Sequence, residues 1–358
     1  MKKEKLEELA SEKNIACVTI SMNTHRSYPE NEKDIIVLRE LLKEAKERVI
    51  NGYGKRMVSD LVLKIDQVEK EIDANYNLDS LHIFLSNSTK EIIKSTWPIA
   101  NNSVYISENF AIKSLIKILN RSEEYLILKL TKSEVRLLLA INDGIVGEIK
   151  NDDFPFDNNQ DDSIDTETIT NGKQAENNTL EFFNKIDKAV VKVYNFTKMK
   201  CVVICTDDNY NRLLKVADKP SVYLGWKTIN YGNTVNHSFA NDAWQVVKAQ
   251  QKKNRAEDIK EMLEAVGKSN VVTDLSEIYR AAKEGRGDLL IVNDNFHQAV
   301  RVTGEFSLDL VTDVTLPGVI DDVASDIAWN VISKKGRAIF TTLDELKSLG
   351  DIALKVRY

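Results

Sequence analysis

The chain has 358 residues, of which 42% are hydrophobic and 29% are charged, with a formal net charge of −6. These proportions are typical of globular proteins, and the length predicts two or three domains. The acidic balance argues against a protein that binds nucleic acid through a broadly basic surface. Apolar runs of about five residues are too short to span a membrane, and three cysteines form no disulfide framework. We therefore expect a cytoplasmic protein without membrane contact.

The negative charge is concentrated near the end of the sequence. Residues 256–358 carry 12 Lys and Arg against 18 Asp and Glu, whereas residues 1–255 carry 37 of each kind. No part of the chain therefore has the excess of basic residues that would indicate contacts with phosphate groups. Any contact with RNA must use local basic clusters.

The first third of the sequence predicts an α/β domain. Residues 15–22 alternate and are rich in β-branched side chains, which favours a strand. Apolar residues at helical spacing then predict a long helix that ends at residues 51–54. A second helix over 58–72, a strand over 81–88 and an extended connection around Pro98 complete this part.

The middle third begins with three predicted strands joined in quick succession. An Asp143-Gly144 pair between the second and third strands is a strong signal for a tight hairpin turn. Residues 151–168 carry seven acidic side chains and no basic one, so we predict a mobile surface loop over 151–175. A helix with a broad apolar face over 180–193 and a buried strand from residue 200 follow. The three opening strands are predicted over 125–130, 134–142 and 144–150.

The last third alternates strands and helices. Asp274 and Glu277 have the spacing of a capping box, which predicts a helix beginning just after Asp274. A later helix over 323–332 is followed by Gly336, which suits the C′ position of a helix end. Because strand and helix alternate, we expect a mainly parallel sheet covered on both faces.

The order of these pieces resembles that of the bacterial relatives of archaeal and eukaryotic peptide-chain release factors and of the rescue factor Pelota. The N-terminal stretch that carries the resemblance is CVTISMNTHRSYPENEKDIIVLRELLKEA. The middle stretches are LILKLTKSEVRLLLAINDGIVGEI, LEFFNKIDKAVVKVY, CVVICTDDN and KTINYGNTVNHSFANDAWQVV. The C-terminal stretches are DLSEIYRAAKEGRGDLLIVND, VASDIAWNVISKKGRAIF and GDIALKVRY.

The resemblance implies an α/β protein of three domains. Residues 1–122 would form an N-terminal α/β domain, and residues 123–255 a ribonuclease-H-like middle domain that contains the acidic loop 151–175. Residues 256–358 would form an α/β/α domain similar to ribosomal-protein folds that bind kinked RNA. The implied partners are the ribosome or structured RNA, with a protein partner at the C-terminal domain, and no cofactor or metal is implied.

Release factors carry a Gly-Gly-Gln loop before a helix of the middle domain, and here the corresponding residues are Asn-Gly-Lys-Gln. Gly172 and Gln174 match the motif, which makes them candidate catalytic residues. Lys173 stands where a glycine would allow close approach of the backbone to the ester. The preceding carboxylates would also repel ribosomal RNA phosphate. The sequence therefore favours an ordinary turn before a helix over a hydrolytic site.

Three local clusters are candidates for contact with RNA, each with a plainer interpretation beside it. One is a strand-to-helix turn, where an anion could bind at a helix N-terminus or solvent could surround the turn. The other two are a basic helical stretch and a helix C-terminus, where solvation or the helix dipole alone explains the charges. The candidate residues are His25, Arg26, Lys248, Lys252, Lys253, Arg255, Lys334, Lys335 and Arg337.

Two further groups of residues could suggest chemistry. Cys201 and Cys205 share one face of a predicted strand, and we interpret them as buried thiols rather than metal ligands. Asp207 and Asp208 lie next to each other without an evident third carboxylate. Neither pair predicts a metal site.

Three hypotheses about function remain open from the sequence. The first is a non-catalytic translation or rescue factor that associates with the ribosome or RNA. The second is a hydrolase of peptidyl-tRNA or another ester that uses a divergent loop. The third is a protein-interaction scaffold that no longer binds the ribosome. The net acidity favours the scaffold over the first hypothesis, whereas the resemblance over nearly the whole chain favours the first hypothesis over the scaffold.

Overall fold

The computed structural model describes residues 3–131, 134–156, 172–228, 236–314, 318–342 and 348–358. It divides into two compact units. The terminal unit consists of Met1–Asn120 together with Glu257–Tyr358, and the middle unit consists of Arg121–Ala256. Both units are mixed α/β structures. In the described ranges, no helix is both long and apolar enough to cross a membrane.

The N-terminal segment of the terminal unit has a four-stranded antiparallel sheet with strand order β3-β2-β1-β4. Two helices cover one face of the sheet, where Val18 and Ile20 are fully buried. Cys17 points to the other face and joins a second core. The elements are α1 (Lys3–Ser11), β1 (Cys17–Asn23), α2 (Glu32–Tyr53), α3 (Ser59–Val68), β2 (Ser80–Leu85), β3 (Lys90–Ser95), β4 (Ser103–Ser107) and α4 (Lys113–Arg121).

The middle unit is built on a five-stranded sheet with strand order β7-β6-β5-β8-β9. The first three strands form an antiparallel meander, whereas β8 is parallel to both β5 and β9. The predicted hairpin is confirmed, because β6 and β7 pair antiparallel with Ile141 opposite Gly144. The positive φ of 53° belongs to Asn142, however, and not to the Asp143-Gly144 pair. The elements are β5 (Glu124–Leu130), β6 (Val135–Ile141), β7 (Gly144–Glu148), α5 (Gly172–Thr197), β8 (Cys201–Ile204), α6 (Asp207–Val216), β9 (Tyr223–Lys227) and α7 (Asn236–Val266).

The predicted loop over 151–175 needs correction at both ends. At its start, the Asn151 side chain accepts hydrogen bonds from the backbone of Asp153 and Phe154, and the Phe154 ring is 1% exposed. The buried ring anchors this stretch, which composition alone does not predict. At the other end, α5 already begins at Gly172, because the residues after it are good helix formers. The predicted mobility of residues 157–171 lies outside the described residues.

The C-terminal segment has a four-stranded sheet with order β10-β16-β11-β15, in which only β11 and β15 are parallel. The expectation of a mainly parallel sheet is therefore wrong. Ten residues separate β15 from β16, which is fewer than a parallel crossover needs, so β16 returns antiparallel. The elements are β10 (Val271–Val272), α8 (Leu275–Lys283), β11 (Gly287–Asn293), β12 (Val300–Val302), β13 (Leu308–Leu310), β14 (Val319–Ile320), α9 (Val323–Ser333), β15 (Arg337–Thr341) and β16 (Ile352–Val356).

Helices lie on both faces of this C-terminal sheet. On one face, α8 and α9 share a single core with α1, α4 and Phe84 of the N-terminal segment. On the other face, Ile259 and Met262 of α7 pack against Leu289 and Ile291 of β11. Burial of this shared apolar surface is the main term that holds the two segments of the terminal unit together.

Two helix ends of the C-terminal segment test the capping predictions. Asp274 caps α8 as predicted, since its carboxylate accepts a hydrogen bond of 3.0 Å from the backbone N–H of Glu277. At the end of α9, however, the left-handed residue is Lys335, with φ of 69°, and not Gly336. A side chain does not fit at Gly336, because a Cβ there would lie 2.5 Å from Val331 Cγ1. The turn is a Schellman motif in which the N–H of Gly336 donates to Val331 O.

Candidate functional site

The resemblance found in the sequence places the counterpart of the release loop at the start of α5. The helix ends at Thr197 and β8 follows at Cys201, so α5 runs antiparallel to β8 and begins beyond its carboxyl end. Residues 176–178 are exposed and Thr179 is buried. This turn of α5 therefore lies at the surface. The backbone of Gly172 and Gln174 lies one turn earlier in the helix, and the side chain of Gln174 is outside the described part of the structure.

The turn at His25 and Arg26 is occupied by the protein's own carboxylates. His25 Nδ1 lies 2.8 Å from Asp34 Oδ1, and the backbone N–H of His25 donates to Asp34 Oδ2 at 2.8 Å. Asp34 belongs to the first turn of α2, where a negative charge is favourable. The guanidinium of Arg26 makes two hydrogen bonds to Asp79, of 2.8 and 2.7 Å. An external anion at this turn would have to displace these carboxylates.

Of the three basic residues that follow α9, Lys334 and Arg337 make contacts within the protein. The Lys334 ammonium donates to the carbonyls of Ala282 and Lys283, at 3.1 and 2.7 Å, and so caps the end of α8. Burial lowers the pKa of Lys334. The Arg337 guanidinium pairs with two acidic residues of α7, Asp258 at 2.6 Å and Glu261 at 2.7 Å. Lys335 is exposed.

The basic stretch of α7, residues 248–255, differs from the other two clusters because all three of its lysines stay unpaired among the described residues. Lys252 and Lys253 are exposed and Lys248 is half-buried. We find no hydrogen bond or salt bridge for these three lysines among the residues that the structure describes. Arg255 already takes part in an interaction within the protein. Residues 248, 252 and 255 lie within about one helix face, since they are spaced four and three apart.

Cys201 in β8 and Cys205 just after this strand are unsuited to nucleophilic chemistry. Both Cys201 and Cys205 are fully buried, and burial raises the pKa of each thiol to about 12. A thiol with such a pKa stays protonated at neutral pH and is a poor nucleophile and metal ligand. Across the described ranges, no group of three or more His, Cys, Asp or Glu side chains is arranged to hold a metal ion.

An exposed tryptophan of β9, stacked on a buried tyrosine of α6, is a feature that the sequence pattern did not reveal. The Trp226 ring stacks on Tyr210 with ring centroids 4.5 Å apart, and its Nε1–H donates to Asp207 Oδ1 at 2.8 Å. Trp226 is 41% exposed, whereas Tyr210 is buried. A ring held in this way offers a face on which a base can stack. A lone tryptophan in a strand gives no signal for such a role, because its partner lies 16 residues away.

The central part of the chain matches a known protein family. Residues 124–286 match the family model of Bacterial archaeo-eukaryotic release factor family 3. The resemblance to a release-factor-like family that we identified from the sequence is thereby confirmed. The match begins at the start of β5 and ends just before β11, and it covers a little less than half of the chain. No curated protein matches the chain.

Several solved structures are similar to the chain at low identity. An archaeal translation termination factor, aRF1, has 13% identity over 100% of this chain and 99% of its own, with a TM-score of 0.26. Dom34 of S. cerevisiae, a termination-like factor of RNA quality control that interacts with Hbs1, has 15% identity over 83% and 77%, with a TM-score of 0.39. Archaeal Pelota, in a ribosome-bound assembly with ABCE1, has 12% identity over 99% and 94%, with a TM-score of 0.42. These scores are too low to support conclusions about this chain.

Proposed function

We propose that this protein is a ribosome- or RNA-associated translation or rescue factor that works without hydrolysing peptidyl-tRNA. The observation that carries the proposal is the match of residues 124–286 to a release-factor family in a chain that has Asn-Gly-Lys-Gln at residues 171–174. The family gives the class of protein, and the altered motif argues against the release reaction. A cytoplasmic location and a protein partner at the C-terminal segment are part of the same proposal.

The fold of the middle unit supports this assignment. Its strand order, with a three-stranded antiparallel meander followed by two parallel strands, supports the ribonuclease-H-like middle domain that the resemblance implies. We infer the same three domains that the sequence predicts, of which the first and third form the terminal unit. Fold alone does not establish function, so the proposal needs a binding surface.

The surface that we propose for RNA is the basic stretch of α7. Lys252 and Lys253 are exposed, and their unpaired ammonium groups can replace counterions on RNA phosphates without breaking an internal ion pair. In the other clusters Arg26, Lys334 and Arg337 already pair with groups of the protein, and Lys335 contributes a single exposed lysine. Binding through so few cations will be weak and strongly dependent on salt.

The test is co-sedimentation of the full chain with ribosomes over a range of salt concentrations. The variant Lys252→Glu/Lys253→Glu should lower the retained fraction and reduce the slope of log K against log salt by roughly 0.7–0.9 for each phosphate that the variant no longer neutralises. A matched control is Lys43→Glu/Lys70→Glu, which reverses two exposed lysines of the terminal unit. The control should leave both quantities unchanged.

The outcomes separate the binding hypotheses. If the α7 variant and the control behave alike, α7 is not the contact surface. If ribosomes and RNA fail to retain the wild-type chain even at low salt, the scaffold hypothesis is preferred.

The hydrolase alternative has its own test, because it requires the start of α5 to act. We expect no release of peptide from peptidyl-tRNA on stalled ribosomes, with either the wild type or Gln174→Ala. A release factor with an intact Gly-Gly-Gln loop serves as the positive control for the substrate. Release that is lost in Gln174→Ala would establish the hydrolase and overturn the proposal.

A further inference from the structure

A tryptophan of the middle unit is held at the surface by three separate features of the fold. Trp226 belongs to β9, which is the last strand in the order of the five-stranded sheet, and 41% of its surface is exposed. Large aromatic side chains usually bury most of their surface. The proposed ribosomal role does not use this residue.

The first feature is a β-bulge that sets the direction of the side chain. Between Tyr223 and Gly225 the pairing of β9 with β8 skips Leu224, which is therefore an extra residue in the strand. Gly225 has a φ of 150° at this point, a conformation that residues with a side chain rarely adopt. In a regular strand, positions 223 and 226 would face opposite sides of the sheet. The extra residue turns Trp226 to the same side as Tyr223, which is the side that α5 and α6 cover.

The second and third features fix the ring itself. The indole stacks on the buried Tyr210 of α6, with an angle of 20° between the two ring planes. Its Nε1–H donates to Asp207 at the start of the same helix. Tyr210 covers one face of the indole, so the exposed surface lies on the other face and at the edges. A ring that is already fixed loses little conformational entropy when a ligand stacks on it.

Asp207 places an uncompensated negative charge at the edge of this ring. Its Oδ1 accepts from the indole at 2.8 Å and from the Thr228 hydroxyl at 3.3 Å, and both donors are neutral. Asp207 is exposed, and among the described residues it has no salt bridge and its Oδ2 has no hydrogen-bond partner. The carboxylate therefore keeps its charge and one free acceptor oxygen.

The charged residues that neighbour this pair in the sequence lie on other sides of their elements. Asp208 and Arg212 are each two positions from Tyr210, which places them about 200° around α6 from the stacked ring. Lys227 follows Trp226 in the strand, so its side chain points to the other face of the sheet. The charge beside the open face of the indole is therefore that of one carboxylate.

An aromatic face beside a carboxylate favours a planar cation. The ring attracts a cation through its π electrons, and the carboxylate accepts a hydrogen bond from it. A guanidinium does both, because it is flat and carries several N–H donors, whereas an ammonium lacks the flat surface. A nucleobase could stack on the same face, but its phosphate would approach the carboxylate and be repelled. The chemistry of the site therefore indicates an arginine side chain.

We propose that Trp226 and Asp207 bind an arginine side chain of a partner protein. The guanidinium stacks on the open face of the indole and donates to Asp207 Oδ2. Because the site lies at the surface, one arginine alone binds weakly, and further contacts of the partner add to the affinity. The proposal does not depend on the ribosomal role, and its test does not involve ribosomes.

The experiment is an NMR titration of the full chain with isotope-labelled tryptophans. The indole Nε1–H resonance of Trp226, assigned from its loss in Trp226→Phe, reports directly on the ring. The probes are acetyl-Gly-Arg-Gly-amide and the same peptide with citrulline or lysine in place of arginine, all at constant ionic strength. Citrulline keeps the planar shape and loses the charge, whereas lysine keeps the charge and loses the plane. We expect the arginine peptide to shift this resonance with a dissociation constant on the order of 10 mM, and the other two to bind at least about threefold more weakly.

Two matched variants locate the site. Asp207→Asn keeps an acceptor for the indole and removes the charge, and it should weaken binding of the arginine peptide at least about threefold. The control Asp208→Asn makes the same change one position along, at an exposed carboxylate on another side of α6, and it should leave the dissociation constant unchanged. Unchanged resonances of the other tryptophans show that each variant is folded.

The proposal fails if about 50 mM arginine peptide leaves the Trp226 resonance in place, since that is well above the expected dissociation constant. It also fails if the citrulline peptide binds equally well, or if a folded Asp207→Asn keeps the wild-type affinity. Tighter binding of adenosine monophosphate than of the arginine peptide at this resonance would make a nucleobase the occupant and overturn the proposal. If Asp207→Asn does not fold, the comparison of the arginine and citrulline peptides on the wild type decides.

Discussion

Acidification should destabilise the terminal unit through one buried histidine. His82 lies in β2 and is fully buried. Its Nδ1 lies 2.9 Å from the Ser21 hydroxyl, and its Nε2 lies 3.0 Å from the Ser80 hydroxyl. Since the Ser80 hydroxyl donates to Trp97 O at 2.6 Å, it accepts from His82, which assigns the neutral tautomer with hydrogen on Nε2. Burial lowers the pKa of this imidazole from 6.5 to about 4.

The direction and size of the effect follow from this pKa. Between pH 6.5 and 4 the unfolded chain binds a proton at His82 that the folded chain refuses, so stability falls as the pH falls through this window. The full loss is about 3 kcal/mol, because each pKa unit corresponds to about 1.4 kcal/mol. At about pH 4.5, roughly 2–3 kcal/mol should already be lost.

The measurement is urea unfolding at about pH 7 and about pH 4.5 of the wild type and of His82→Gln. The glutamine can donate and accept hydrogen bonds but does not titrate, so other acid-sensitive groups affect both proteins alike. We expect the wild type to lose about 2–3 kcal/mol more than the variant between the two pH values. An NMR titration should place the folded midpoint of His82 below about pH 5. A midpoint near 6.5, the ordinary value, or equal losses in the two proteins, would refute the reasoning.

Two further predictions concern the end of α9, and two concern the core of the middle unit. Lys335→Gly should stabilise the protein by about 0.5–1 kcal/mol in urea unfolding, because glycine adopts a positive φ without strain. Gly336→Ala should destabilise it by about 1–3 kcal/mol, because the added Cβ meets Val331. Cys201 and Cys205 should react with a thiol reagent at neutral pH only after unfolding, as followed by absorbance. Phe183→Ala should cost about 3–5 kcal/mol of stability in the middle unit, measured by denaturant unfolding.

The sequence predicted best the elements that are fixed by local patterns. Alternating residues 15–22 correspond to β1, and the helical spacing after them corresponds to α2. The Asp274 cap and the hairpin between β6 and β7 were also correct. In each of these places the residues that decide the structure lie within a few positions of one another, so a short window contains the signal.

Strand direction in the C-terminal sheet was not predicted, because it depends on long-range pairing. Alternating strands and helices are compatible with parallel and antiparallel neighbours alike. The outcome is decided by β16, which pairs with β10 and β11 although it is the last strand of the chain. A similar reason explains Phe154, whose burial against the middle sheet cannot be read from the acidic residues around it.

For the charged residues of the candidate site, prediction from the sequence was limited in the same way, because it depends on long-range pairing. The basic residues of all three clusters are visible in the sequence, but their partners are not. Arg26 pairs with Asp79, 53 positions later, and Arg337 pairs with Glu261, 76 positions earlier. No local pattern distinguishes these cations from Lys252 and Lys253, which stay unpaired in the described residues. A count of basic residues therefore overestimates the charge that is free to contact phosphate.

The start of α5 is a further place where the structure restricts what the sequence motif suggests. A glycine is needed in a catalytic loop where the backbone must adopt a conformation or an approach that side chains prevent. Gly172 lies instead in a helix that runs on to Thr197, and helical φ and ψ angles are open to any ordinary residue. The next position is a lysine, and seven carboxylates lie within residues 151–168, so a close approach to the phosphates around a peptidyl-tRNA ester would bring like charges together. Backbone conformation, bulk and charge at this helix start thus support the proposal of a factor that binds without hydrolysing peptidyl-tRNA.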